Sequence, residues 1–284
     1  MTGTGGTGIT ATERAALERA LSELEARLAA DAERGPDTRL RCEQLVEQLR
    51  TPAAAFLRPE LERRLARHVD AGDSFARDRI AHALAGACGQ DALPALLRAM
   101  VTDRNDDEAT LQLDVLNLFR AWPQTSLRLS LECAASDDPG TRMVGLWSLA
   151  VIDFGGDTYF GLIADAARDP NPAIRAHAMT TLGTIFGTGD PSTARAILIT
   201  GTSDAAPEVR RAAVSALWGA HEATVTDALV ARAGDSDPAV RYWLAWTLSG
   251  RPAPEARAAL ERLTADEDEN VRDAAHQALA QPTG

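Results

Sequence analysis

Hydrophobic and polar positions along this chain fall into one recurring phrase: an apolar residue, an arginine, two variable residues, two small or apolar residues, one variable residue, a small residue, then leucine. Val209-Arg210 through Ala216-Leu217 carries it cleanly. Arg77, Arg142, Arg175, Arg210, Arg241 and Arg272 open six copies, and Leu84, Leu149, Leu182, Leu217, Leu248 and Leu279 follow them at a constant interval. A seventh copy puts Leu111 where the arginine belongs, ahead of Leu118. The anchors are 34, 31, 33, 35, 31 and 31 residues apart. Spacings of three and four within the phrase predict an amphipathic helix. A period in this range predicts stacked helical pairs.

The helix carrying the phrase is the second of each pair and follows a turn rich in Asp and Pro. Examples are Asp169-Pro170-Asn171-Pro172, Asp204 to Pro207, Asp235-Ser236-Asp237-Pro238 and Asp266 to Asn270. Asp and Asn side chains accept from the free N–H groups that open a helix, and Pro is tolerated at the first helical position. The first helix of each pair shows its own apolar face, as in Leu93, Leu96, Leu97 and Met100 or Leu229, Val230 and Ala233. Residues 11–31 predict a charged helix with Leu17, Leu21, Leu24 and Leu28 on one stripe, a cap on the first repeat. Residues 1–10 read as a flexible tail; their glycines are followed by no Gly-Lys-Ser/Thr, so they form no phosphate loop.

This phrase, recurring in register, resembles the HEAT repeat family in its short bacterial form, related to the repeats of phycobilin lyase subunits. The resemblance is close over residues 70–281 and weak over 37–70. It implies an all-α fold, a right-handed α-α superhelix of antiparallel helix pairs with second helices on the concave face. The domain expectation is a tail at 1–10, capping helices or a degenerate repeat at 11–70, and one solenoid of repeats over 71–284. Members of the family act mostly as protein or peptide scaffolds; a minority bind nucleic acid or perform chemistry, among them bilin lyases and DNA glycosylases. Leu111 and the link Asp153-Phe154-Gly155-Gly156-Asp157 depart from the pattern.

The six arginines invite reading as a basic row for phosphates. Each stands a few residues after an acidic turn, and a guanidinium fork suits bidentate carboxylate pairing. The expectation is therefore structural: each arginine reaches the turn aspartate of its own or the next repeat. The functional expectation moves to the stripe at offsets +1, +2 and +5 from each arginine, opposite the core-facing positions +3, +4, +6 and +7. On it lie Asp78, Arg79 and His82; Met143, Val144 and Trp147; Ala176, His177 and Thr180; Arg211, Ala212 and Ser215; Tyr242, Trp243 and Trp246; and Asp273, Ala274 and Gln277. Trp147, Tyr242, Trp243 and Trp246 are four of the chain's seven Trp and Tyr residues. Large aromatics on an exposed face anchor binding surfaces, while Arg79, His82, His177 and Arg211 add polar character. Trp218 is expected to pack at a helix end, and Trp122 to plug a loop between repeats.

Composition narrows the chemistry. The net charge of −12 and the absence of a basic cluster disfavour nucleic acid. All 29 basic residues are arginine, which excludes lysine-dependent P-loop, Schiff-base and kinase sites. His68, His82, His177, His221 and His276 fall in different repeats and match no catalytic or metal motif. No catalytic residue, metal or cofactor is implied. Acid runs at Asp103 to Glu108 and Asp266 to Glu269 read as solvated turns without calcium-loop spacing. An enzyme reading in the glycosylase style would draw on Asp78, Asp114 or Asp273. Cys42, Cys88 and Cys133 pair with nothing in the sequence pattern and point to a reducing cytoplasm. No stretch is long and apolar enough for a membrane span. The expected partner is a protein or peptide; the chain is expected to be monomeric, with the N-terminal helix as the route to a dimer.

Overall fold

The computed structural model describes residues 9–29, 35–101, 110–152, 160–184 and 191–281. The first eight residues of the expected tail, the acid run from Asp103 to Glu108 and the Asp153–Asp157 link lie outside them. Among the described residues every regular element is helical. The chain divides into two compact units, residues 1–145 and 146–284.

The first unit holds α1 (Ala11–Ala29), α2 (Pro36–Leu49), α3 (Arg58–Asp70), α4 (Ser74–Cys88), α5 (Leu93–Met100), α6 (Thr110–Ala121), α7 (Pro123–Ala134) and the start of α8 (Pro139–Ile152). Here α2, α4 and α6 pack side by side as one row, and α3, α5 and α7 as the other. The leucine stripe of α1 is turned inward: Leu21, Leu24 and Leu28 are buried, and α1 packs on α2. Leu111, in the arginine position of the degenerate copy, is fully buried in α6.

Two close approaches depend on glycine. A Cβ on Gly145 would collide with the backbone of Cys133 and Ala134, so only glycine lets α8 lie this close to α7. Gly89, at φ +56°, ends α4 and leaves room for the Trp122 indole, 2.9 Å from where its Cβ would stand. Trp122 thus packs on the Gly89 turn, but at 37% exposed it lies over the loop rather than plugging it.

The second unit continues with the end of α8, then α9 (Phe160–Ala166), α10 (Pro172–Thr184), α11 (Pro191–Gly201), α12 (Pro207–Ala216), α13 (Ala223–Val230), α14 (Pro238–Leu248), α15 (Pro254–Leu263) and α16 (Glu269–Ala280). The helices bearing the arginine phrase form one row, α10 on α12 on α14 on α16, and α11, α13 and α15 form the other. Their core is built mostly from small and branched side chains, Leu182, Ala213, Val214, Leu244, Ala245, Ala274 and Ala275, with the unbranched Met179 among them. Ala at these contacts lets helix axes approach closely, which suits a chain with only 5% aromatic residues.

The turns do what their composition implies. Asp237 caps α14 by accepting from the Ala239 and Val240 N–H groups, and Asp268 caps α16 through Asn270 and Val271. Pro172, Pro207 and Pro238 open α10, α12 and α14.

Candidate functional site

The arginine ladder fixes the register in which the +1, +2 and +5 stripe is presented. Arg175 donates from Nε and Nη2 to the two carboxylate oxygens of Asp204, at 2.9 and 2.8 Å. Arg210 does the same to Asp235 at 2.8 and 2.7 Å, and Arg241 to Asp266 at 2.8 and 2.7 Å. The remaining nitrogen, Nη1, donates to carbonyls of the arginine's own turn: Asp169 and Pro170, Asp204 and Ala205, and Asp235, respectively. Each guanidinium therefore ties its own turn to the carboxylate of the next. Each carboxylate also accepts a backbone N–H two residues ahead, from Ala206, Asp237 and Asp268.

The charges are stabilised accordingly. Arg175 holds the Asp204 carboxyl below the usual carboxylate range. Burial opposes ionisation of Asp235 and Asp266, but the bonds from Arg210 and Arg241, the backbone N–H groups of Asp237 and Asp268 and the nearby guanidinium charges together outweigh it, and both end low. Arg142 and Arg272 make the same bonds to their own turns, Arg142 to Ser136 and Asp137 and Arg272 to Asp266 and Glu267. Arg77 differs by pairing with its neighbour Asp78.

This frame buries the +3, +4, +6 and +7 positions nearly throughout and leaves the +1, +2 and +5 stripe on the opposite side of each helix. On α14 the stripe is an aromatic cluster. Tyr242 meets Trp243 edge to face, with centroids 5.9 Å apart, and Trp246 at 6.4 Å. Tyr242 and Trp246 rest against the core, whereas Trp243 is 41% exposed. A groove of about 380 Å³ runs beside Tyr242, bounded by Pro238, Ala239, Asp268 and Asn270. Arg211 is exposed on α12 and Trp147 half-buried on α8. His177 on α10 is half-buried, its Nε2 has no hydrogen-bond partner, and burial pushes its pKa down.

In the first unit the same positions on α4 are polar. His82 Nδ1 stands 2.7 and 2.9 Å from the two oxygens of Asp114 on α6, a buried carboxylate. The Arg79 guanidinium lies over the Phe75 ring at 4.1 Å. Asp78, Arg79 and His82 line a pocket of about 410 Å³ with Glu43 and Glu47 of α2. A larger cavity of about 660 Å³ lies away from the stripe, lined by Met179, Ser192, Ala196, Ile197 and Thr200, and contains none of the expected binding residues.

Several expectations need correction. Asp78, Val144 and Ala274 are buried rather than presented, because neighbouring helices in the row cover them. Trp218 does not pack at a helix end: it follows the last turn of α12, just before Gly219 at φ +83°, and is 74% exposed. Of the carboxylates considered for an enzyme, Asp78 is paired with Arg77, Asp114 is committed to His82, and Asp273 stands exposed on α16. Among the described residues no group of three His, Cys, Asp or Glu converges as a metal site. No described helix is long and apolar enough to cross a membrane.

The pattern analysis missed Arg251. It lies outside the repeat phrase, in the loop after α14, and is 3% exposed. It donates to the carbonyls of Thr247, Leu217 and Ala220 and to the Thr226 hydroxyl. Burial pushes its pKa down, against the opposing influence of the Glu222 carboxylate. The one local signal is Gly250 before it, at φ +70°, which marks a tight exit from α14.

Residues 195–280 match the sequence profile of HEAT repeats. No curated protein matches the chain. Among solved structures, YibA of E. coli is similar at 17% identity, over 95% of this chain and 97% of that one, with a TM-score of 0.48. An engineered protein is similar at 17% identity, over 90% and 76%, with a TM-score of 0.42. A designed armadillo repeat protein in complex with a (KR)4 peptide is similar at 16% identity, over 95% and 94%, with a TM-score of 0.27.

Proposed function

Taking residues 195–280 as an array of HEAT repeats, we propose that this chain is a cytoplasmic scaffold that binds a protein or peptide along the stripe of its phrase-bearing helices. Trp147, His177, Arg211, Tyr242, Trp243 and Trp246 form such a surface in the second unit; in the first unit Arg79 and His82 belong to a surface of its own. One observation carries the reading: Trp243 stands 41% exposed on α14, braced edge-on by Tyr242, with Trp246 beside it. An exposed indole held rigid by its neighbours loses little side-chain entropy on contact and offers a large apolar area, the properties of an interface hot spot. Arg211 on the preceding helix of the row supplies a flanking donor. The three cysteines are free, which fits a reducing compartment.

The test compares wild type with Trp243→Ala, which leaves the core-packed Tyr242 and Trp246 in place. Tagged proteins of both kinds are used to capture partners from native lysate, with mass spectrometry as readout and melting temperature as the folding control. A partner held by wild type and lost from a variant of unchanged melting temperature is the expected result. Equal capture by both proteins would overturn the proposal.

A further inference from the structure

The pocket of the first unit has unmet hydrogen-bonding capacity of a defined kind. Its walls come from three helices of one row: Glu43 and Glu47 from α2, Asp78, Arg79 and His82 from α4, with Asp114 of α6 behind His82. Most of the charged groups are already engaged. Arg77 pairs with Asp78, Arg50 with Glu47, and the face of Arg79 lies on Phe75. Asp114 is 6% exposed and takes the proton side of the His82 ring, because a buried carboxylate held at 2.7 Å requires an N–H there. That assignment leaves Nε2 an acceptor whenever it carries no proton. Among the described residues, neither His82 Nε2 nor the exposed Glu43 carboxylate has a partner.

The pocket therefore offers an anionic acceptor and a neutral one, beside an arginine whose ring-stacked face leaves its N–H edge for an oxygen. A ligand that answers all three is a cation with several N–H donors next to a carbonyl. We infer that this pocket receives the guanidinium of an arginine residue in the partner polypeptide: Glu43 and His82 Nε2 accept from it, and Arg79 donates to that residue's main-chain carbonyl. The chain's net charge of −12 favours approach of such a basic segment. The inference rests on the proposal that the stripe binds a polypeptide, and it names a residue that the polypeptide would carry.

The probe is N-acetyl-arginine methylamide, titrated into ¹⁵N-labelled full-length protein and followed by NMR. Parallel titrations use the citrulline derivative, which keeps the shape and loses the charge, and the glutamate derivative. Saturable shifts confined to the neighbourhood of Glu43, Arg79, His82 and Thr110 are expected with arginine, and binding about tenfold weaker or more with citrulline, the factor that one charge-assisted hydrogen bond supplies. Glu43→Gln, an exposed change that leaves the His82–Asp114 pair intact, should weaken arginine binding to the citrulline level. Trp243→Ala should leave the titration unchanged, so failure of the aromatic surface and failure of this pocket are separable. Unsaturable shifts scattered over the acidic surface would overturn the inference, and so would equal binding of citrulline. Preferential binding of the glutamate derivative through Arg79 would overturn it too.

Discussion

Arg210 and Asp235, on successive helical repeats, meet edge to edge: Nε donates to Oδ2 at 2.8 Å and Nη2 to Oδ1 at 2.7 Å. The pair is shielded, with side chains 11% and 3% exposed. Arg210 also holds the carbonyls of Asp204 and Ala205 in its own turn. One side chain thus bridges two turns and sets the offset between α12 and α14, on whose surface Tyr242 and Trp243 stand.

Arg210→Ala should leave Asp235 buried without its counter-charge, a loss of about 3–5 kcal/mol. The melting temperature should fall by roughly 10 °C. Arg210→Lys should recover only part of this, since an ammonium cannot reproduce the two parallel bonds. Thermal unfolding followed by circular dichroism checks both; an unchanged midpoint for Arg210→Ala would remove the ladder from the account of stability.

Acid should weaken the second unit through the same pairs. Asp204, Asp235 and Asp266 have folded pKa values below the ordinary 3.8. As pH falls, the unfolded chain takes up these protons before the folded one, so the stabilisation is present above that value and is lost below it. The contribution of these pairs to the melting temperature should hold steady from neutrality to about pH 5 and then drop below about pH 4. Asp235→Asn should start lower at pH 7 and lose less on acidification. A slope identical to wild type would contradict this.

His177 predicts a separate effect at milder pH. Burial depresses its pKa from 6.5, so the folded state favours the neutral ring. The unfolded chain protonates first as pH falls through 6.5, and stability present above that value is lost progressively below it. Replacing His177 with Phe removes the titration. Between pH 7 and 5 the variant's melting temperature should change less than that of wild type, measured by calorimetry at matched ionic strength.

Arg251→Ala should be among the more damaging changes in the chain. It strips donors from the carbonyls of Leu217, Ala220 and Thr247, and an unsatisfied buried acceptor costs about 1–3 kcal/mol. Arg257→Ala on the surface of α15 is the control, because its ion pair with Glu261 is solvent-exposed and contributes little. Equal melting temperatures for the two variants would show that Arg251 is not a clamp.

The repeat phrase alone determined the all-helical fold, the order of helices, the buried positions within each phrase, and the arginine-to-turn pairing. These follow from interactions that recur at fixed separations, so every copy restates them. It also placed Trp243 on an exposed stripe, because residues two apart from an anchor on one helix share a defined direction relative to it.

Only the tertiary structure decided which neighbour completes each contact. The pattern allowed an arginine to reach its own turn or the next; folded, it bonds to its own carbonyls and to the next carboxylate. It could not join His82 to Asp114, 32 residues on, or assign Arg251 its acceptors in the loop between α12 and α13. Nor did it show that Trp218 leaves α12 into solvent while Asp78 is covered. A helical period specifies which side of its own helix a residue occupies. Whether that side is sealed, and by what chemistry, depends on the axial shift and approach of the adjacent helix, which close only when the whole row has packed.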